Sequence, residues 1–250
     1  MVTARPENRS YDKSAHLYDL FDQKKNIDFF CHYAYRTGEA LDVGAGTGRI
    51  AIPLAEKEIA LCCVEPSPAM RREFEKKLRA CPELRDYIQL IAGEARSFEV
   101  PRRFPMAFLS GTFDHFLNDE ERLGSLANIA RHLVENGVLV FDVSLFQTED
   151  RRLSPAGSAR VGRMQVQRFV GGKILQDGTR EIVLVFELRE GGQVVKRIEE
   201  RGLIGIASRE GIHSALKEAG FEVKQEFGDY QFTPYREGDT LLVIEASRRR

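Results

Sequence analysis

The chain has 250 residues, room for one large α/β domain or for a core domain carrying an insertion. Its charged residues, 30% of the total, balance to a net charge of −1, so composition supplies no basic coat for nucleic acid and no cationic face for an anionic membrane. No apolar run approaches bilayer-spanning length, and the polar opening MVTARPENRSYDKS lacks the apolar centre of a secretory signal. Cys31, Cys62, Cys63 and Cys81 form no CxxC pair, which predicts buried reduced thiols and a cytoplasmic protein. The five histidines show no ligand spacing, and no metal site is expected.

Along the first 148 residues, short apolar runs alternate with amphipathic ones. Residues 39–43 (EALDV) read as a strand, followed by a glycine-rich turn and a helix over 49–57. The next strand is 60–64. Ser67–Pro68 opens a helix with Met70, Phe74 and Leu78 along one face. Strands follow at 87–91 and 106–109. A helix over 119–134 then presents Leu123, Leu126, Ile129 and Leu133 at helical spacing, and GVLVFDV (137–143) is a continuous apolar strand. Strands apolar on both faces, alternating with helices, indicate a parallel sheet covered on both sides.

From about 160 to 206 the helical pattern disappears. MQVQRFV, EIVLVFEL and VVKRIEERGLIGI are β-rich, with Gly171–Gly172 and Gly191–Gly192 in the gaps, a pattern of antiparallel hairpins. A helix returns after Ser208, with Gly220 closing it, and strands follow at 221–227 and 240–246. The predicted organisation is a core of 1–149 and 208–250, with a seven-stranded, mostly parallel sheet between helices. It is interrupted by an antiparallel β insertion over 150–207.

The most informative stretch is LDVGAGTGRIAIPLA, 41–55. Gly44, Gly46 and Gly48 follow a strand at intervals of two, where the missing Cβ permits a tight turn and close approach of a ligand. Free N–H groups at the start of the following helix suit an anionic group. A tight strand–helix turn alone would need the same glycines. The spacing is GxGxG and not the GxGxxG of a dinucleotide fingerprint. Asp42 sits just inside the strand, able to anchor the loop or meet an ammonium group. Glu65 ends the next strand, where a carboxylate can accept from both hydroxyls of a ribose.

At these residues the chain resembles the class I S-adenosylmethionine-dependent methyltransferases. LDVGAGTG resembles their first motif and VEPSPAM their second strand with its acidic tip. GEARSF (93–98) resembles the adenine-reading loop, with Glu94 where aspartate is more usual. FLSGTFDHFLN (108–118) resembles the fourth strand and active-site loop, and NGVLVFDV the fifth strand. YDKSAHLYDLF (11–21) is similar to the N-terminal segment of small-molecule members, including sugar N-methyltransferases and glycine N-methyltransferase-like enzymes, which often carry a β insertion after the fifth strand.

The resemblance implies a Rossmann-like fold and S-adenosyl-L-methionine as cofactor, leaving as S-adenosyl-L-homocysteine. The implied cofactor contacts are Tyr11, Tyr18, Asp42, Gly44, Ala45, Gly46, Gly48, Glu65, Pro66, Met70, Gly93, Glu94, Ala95 and Ser110. Tyr11 and Tyr18 would lie over the methionine end, where aromatic faces stabilise a sulfonium. Thr112, Phe113 and His115 would line the acceptor pocket.

A sulfonium is an activated donor, so alignment carries much of the catalysis and a base is optional. His115 is the candidate base and Asp114 the alternative; Arg49 could meet a carboxylate, or be a solvated helix arginine. The expected partner is a small-molecule acceptor methylated on nitrogen or oxygen, without nucleic acid or membrane. The insertion serves either the acceptor pocket or a homodimer contact. An enzyme acting on RNA or protein, or a non-catalytic protein binding the cofactor or its product, stays open at this level.

Overall fold

The structure, a computed structural model, describes residues 11–21, 26–145 and 149–249. The reading of the first ten residues as no secretory signal lies outside them. Helix α1 (Ala15–Tyr18) leads into a 3-10 turn, Asp19–Phe21, and α2 (Ile27–Thr37) precedes the sheet. Strand β1 (Glu39–Val43), helix α3 (Ala51–Ala55), strand β2 (Ala60–Glu65), helix α4 (Pro68–Ala80) and strand β3 (Ile88–Ala92) form the first half. Strand β4 (Phe104–Leu109), helix α5 (Asp119–Arg131) and strand β5 (Leu133–Ser144) complete the alternating part.

Strands β6 (Arg151–Val161), β7 (Met164–Ile174), β8 (Thr179–Glu190) and β9 (Gln193–Gly205) form a separate antiparallel sheet in the order β6-β7-β8-β9. Helix α6 (Arg209–Glu218) and strands β10 (Phe221–Phe227) and β11 (Leu241–Arg248) return to the first sheet. That sheet has seven strands in the order β10-β11-β5-β4-β1-β2-β3, and β11 alone runs antiparallel to its neighbours. The expected Rossmann-like class holds.

Local chemistry explains the element ends. Ser67 Oγ accepts from Met70 N and Pro68 occupies the first helical turn, as predicted for α4. Asn118 and Ser208 cap α5 and α6 in the same way. The helix predicted over 49–57 is only Ala51–Ala55, flanked by turns, so it is too short to act as an anion-binding helix terminus. The helix predicted to 134 stops at Arg131, because Leu133 already pairs with Phe104 as the start of β5.

Two readings of the insertion need correction. Gly171 and Gly172 lie within β7 and not in a gap. A Cβ on Gly172 would overlap the Glu181 carbonyl, and one on Gly171 would crowd Leu153. Strand β6 has no strand pattern in the sequence, because Pro155 and Gly157 interrupt it and most of its residues are exposed. An edge strand tolerates both.

The seven-stranded sheet separates two apolar layers. One gathers Leu41, Val64, Phe141, Leu126, Ile129 and Leu216 around α5 and α6. The other gathers Phe29, Phe30, Ala40, Leu54, Cys63, Phe74 and Val140 around α2, α3 and α4. Each fully buried Phe contributes about 1.5–3 kcal/mol relative to an exposed one. Strand alternation puts Asp42 with Ala40, Glu65 with Cys63 and Asp142 with Val140. Three acids therefore point to the α2–α4 side at the carboxyl end of the strands.

Candidate active site

The loop after β1 is built from glycines in the left-handed region: Gly44 at φ 82°, Gly46 at 58° and Gly48 at 78°. A Cβ on Gly44 would overlap the Thr112 side chain and one on Gly48 would overlap the Phe74 ring, so these two serve close packing. Gly46 differs: a Cβ there would meet no atom within 4 Å, so its missing side chain leaves open space.

Glu65 is tied into this loop. Its Oε2 accepts from Gly46 N at 2.8 Å and its Oε1 from Ser67 N at 2.7 Å. Burial nevertheless pushes its carboxyl above the usual range, against those two bonds. Asp42, 2% exposed, is pushed up to about 8 by burial and by the nearby Glu65 charge, with Arg49 opposing.

Beside them lies a polar cluster that pattern reading missed, apart from Arg49 and Ser110. Arg49 donates to Asn26 Oδ1 at 2.5 Å and Ser110 Oγ at 3.0 Å, and Asn26 Nδ2 donates to Ser110 Oγ at 2.8 Å. Asp142 accepts from Gly111 N at 2.6 Å and from the Tyr230 hydroxyl at 2.7 Å. Asp142 had a legible signal, a lone acid inside an apolar strand. Asn26 and Tyr230 had none, because long-range contacts bring them in.

The N-terminal segment is pinned across the loop. Thr47 Oγ1 donates to Asp19 Oδ1 at 2.6 Å, and Lys77 Nζ reaches Asp19 Oδ2 at 2.5 Å and Thr47 O at 2.8 Å. The anchoring sets Tyr11 edge-on to Tyr18, ring centroids 5.2 Å apart, and to His115 at 6.3 Å. Met70 and Ala69 of α4 pack under both tyrosines. Tyr11 itself has φ 77°, an uncommon backbone for a residue with a side chain. Burial holds its phenol well above the usual value.

Other candidate contacts lie around this centre. Ala45 is buried and its N–H bonds Val64 O at 3.0 Å. Pro66 is exposed, its carbonyl accepting from Arg71. Gly93 packs on Phe98; Glu94 is exposed within 4.0 Å of Arg96; the Ala95 carbonyl accepts from Asn128.

Two expected pocket residues point elsewhere. Phe113 is 1% exposed and stacks on Phe141 at 4.6 Å, so it belongs to the core. Thr112 turns its hydroxyl to Gly44 O at 3.3 Å and braces the glycine loop.

His115 and Asp114 open into a cavity of about 470 Å³ between the first sheet and the insertion. Tyr11 and Gly111 line the core side; Arg180, Ile182, Leu184, Glu200 and Ile204 line the other. Burial lowers the His115 pKa and pushes Asp114 up to about 6, although Ser144 hydrogen-bonds the latter. His115 is therefore neutral near pH 7, with one ring nitrogen able to take a proton. Among the described residues no group of acids, histidines or cysteines could hold a metal ion, and no helix is long and apolar enough to cross a membrane.

Residues 40–137 match the methyltransferase domain family. An uncharacterized methyltransferase of Bacillus thuringiensis (strain Al Hakam) is 29% identical over 154 residues, covering 57% of this chain and 69% of that protein. The fold is similar to an S-adenosylmethionine-dependent methyltransferase from Clostridium acetobutylicum, with TM-score 0.77, 20% identity and 96% and 99% of the two chains covered. It is also similar to the sugar N-methyltransferase KedS8 from Streptoalloteichus sp., with TM-score 0.74, 21% identity and 100% and 97% covered. With the glycine loop and its acidic partner, the match places a methyltransferase domain in residues 40–137, on a fold similar to that of S-adenosylmethionine-dependent methyltransferases.

Proposed function

We propose that the protein methylates a nitrogen or oxygen of a small molecule held in the cavity between His115 and the antiparallel sheet. The observation that carries this reading is the cavity itself. At about 470 Å³ it has the size of a small-ligand site, and it opens beside the anchored tyrosines and the loop after β4. The likeness to KedS8, a sugar N-methyltransferase, supports a small acceptor.

The residues present fit the cofactor. Gly46 leaves open space at the loop, and carboxylates stand at Glu65 and Asp42 for hydroxyl and ammonium groups. Arg49, amid Asn26 and Ser110, offers positive charge to a carboxylate. When bound, S-adenosylmethionine supplies a methyl group whose bonding pair to sulfur leaves with the sulfur as the acceptor's lone pair makes the new bond.

The chain's own work is placement. Tyr11 and Tyr18 exclude water and present aromatic faces to positive charge. The walls of the cavity hold the acceptor in line, and such orientation supplies roughly 7–11 kcal/mol. His115 takes the proton that the acceptor nitrogen or oxygen gives up.

An acceptor screen tests the reading, measuring S-adenosylhomocysteine formed from aminosugars, other small amines and alcohols, bulk tRNA and a basic protein. Turnover confined to small molecules, and impaired in Ile182→Phe, is the expected result. Turnover confined to the tRNA or the protein would overturn it.

A further inference from the structure

The cavity face of the antiparallel sheet contains one acid. Along β8 that face presents Arg180, Ile182, Leu184, Phe186 and Leu188, and β9 sets Ile204, Gly202, Glu200 and Ile198 against them in register. Leu17, Leu20 and Phe21 cover the far end, around Phe186, Leu188 and Ile198. Glu200 stands where this covered part gives way to the cavity, and it is 6% exposed. Its Oε1 accepts from the Lys13 backbone N–H, which holds the tyrosine-bearing segment to the sheet. Its Oε2 is buried and has no hydrogen-bond partner. The nearby cation Arg168 is otherwise engaged: its guanidinium lies over the Phe21 ring and donates to Ala156 O.

A buried carboxylate oxygen without a donor loses its hydration with nothing in return, which is costly to the fold. An apolar residue would fill the face without that cost. Holding the Lys13 N–H requires only one oxygen, and a neutral amide would supply it. The second oxygen therefore calls for a donor from outside the chain, and Glu200 shares its cavity with Tyr11, Asp114 and His115.

We infer that Glu200 is the acceptor-recognition residue and that it selects an amine, so that the protein is an N-methyltransferase. The inference rests on the reading that this cavity takes the acceptor. A neutral primary or secondary amine carries a lone pair for the methyl group and an N–H for Glu200. As the new C–N bond forms, the nitrogen becomes cationic, and a carboxylate beside it stabilises that charge before the proton leaves to His115 or water. An alcohol has one O–H, which it must surrender in reacting, and so cannot retain the contact. Glu200 also links acceptor binding to the N-terminal segment through Lys13.

The experiment uses the full chain saturated with S-adenosylhomocysteine and two probe pairs, glucosamine with glucose and cyclohexylamine with cyclohexanol. Binding is followed by ligand-observed NMR. In each pair the amine is expected to bind at least tenfold more tightly, and Glu200→Gln to abolish that preference while leaving cofactor affinity within twofold. A purely structural tether would not move the amine preference, because glutamine still accepts from Lys13. Equal binding of amine and alcohol by the unmodified chain, absence of binding by both amines, or an amine preference that persists in Glu200→Gln overturns the inference. Ile182→Phe narrows the same cavity without touching Glu200. If it abolishes amine binding while Glu200→Gln does not, the Glu200 assignment fails alone; if neither variant alters amine binding, the cavity reading fails with it.

Discussion

The two oxygens of Glu65 are both occupied by backbone: Gly46 N at 2.8 Å on one and Ser67 N at 2.7 Å on the other. One carboxylate at the tip of β2 thus fixes the glycine loop after β1 and the first turn of α4 together. Each oxygen keeps a second lone pair, which leaves room for the hydroxyl contacts expected of this residue. Glu65→Ala is therefore expected to act twice. It removes two charge-assisted bonds, lowering stability by about 1.5–3 kcal/mol for each where no water replaces it, and it weakens S-adenosylmethionine binding. Thermal melting and calorimetry separate the effects. Reduced stability with unchanged affinity would leave Glu65 a loop anchor only.

The three loop glycines are expected to separate packing from ligand space. Gly44→Ala drives a methyl into Thr112, and Gly48→Ala drives one into Phe74, so each should lose about 1–3 kcal/mol of stability beyond the left-handed backbone penalty. Gly46→Ala meets nothing within 4 Å and should lose only the backbone term, about 1–2 kcal/mol, yet weaken the cofactor at least tenfold. Denaturant titration gives the stabilities and calorimetry the affinities. Gly46→Ala with full affinity would put the cofactor elsewhere.

Asp42 gives the unliganded protein a pH dependence. Its folded value, about 8, lies above the ordinary 3.8, so the folded chain holds the proton more tightly than the unfolded chain does. The associated stability is complete below about pH 4 and is lost as pH rises through 8. Asp42→Asn keeps the neutral form at every pH. Its melting temperature should match that of the parent near pH 4 and exceed it at pH 8–9, while its cofactor affinity falls because an ammonium loses its counter-charge. Parallel pH curves for the two proteins would show that Asp42 titrates normally.

The parts of this architecture legible in the sequence are those set by neighbours in the chain. β1, β2 and β5 are apolar on both faces, which marks a covered parallel sheet, and Ser67–Pro68 announces α4 without tertiary help. The glycine loop and Glu65 are legible too, because they stand at a fixed spacing along one stretch of chain. Long-range placement is what escapes. Phe113 and His115 are two residues apart in one loop, yet one stacks on Phe141 and the other opens into the cavity. Glu200 reads as one of two adjacent acids in IEERG until register puts it, and not Glu199, on the inner face. The Arg49–Asn26–Ser110 cluster joins three separate segments, so no local period could reveal it.

His115 offers the sharpest test of proton transfer. Burial lowers its pKa below the ordinary 6.5, so the ring is neutral at pH 7 and becomes cationic only as pH falls through the depressed value. With an acceptor from the screen, kcat/KM should therefore be flat above pH 7 and fall on the acid side. Asp114, pushed up to about 6, titrates in the same region and contributes to the same limb. His115→Gln removes one of the two groups: kcat should drop by roughly 10²–10⁴ if the ring takes the proton, with an acid limb persisting near pH 6 from Asp114. If the imidazole only orients the acceptor, glutamine should retain most of kcat while KM rises, and the acid limb should keep its position. The kcat-against-KM split, read across pH 5–9, decides between base and positioning group.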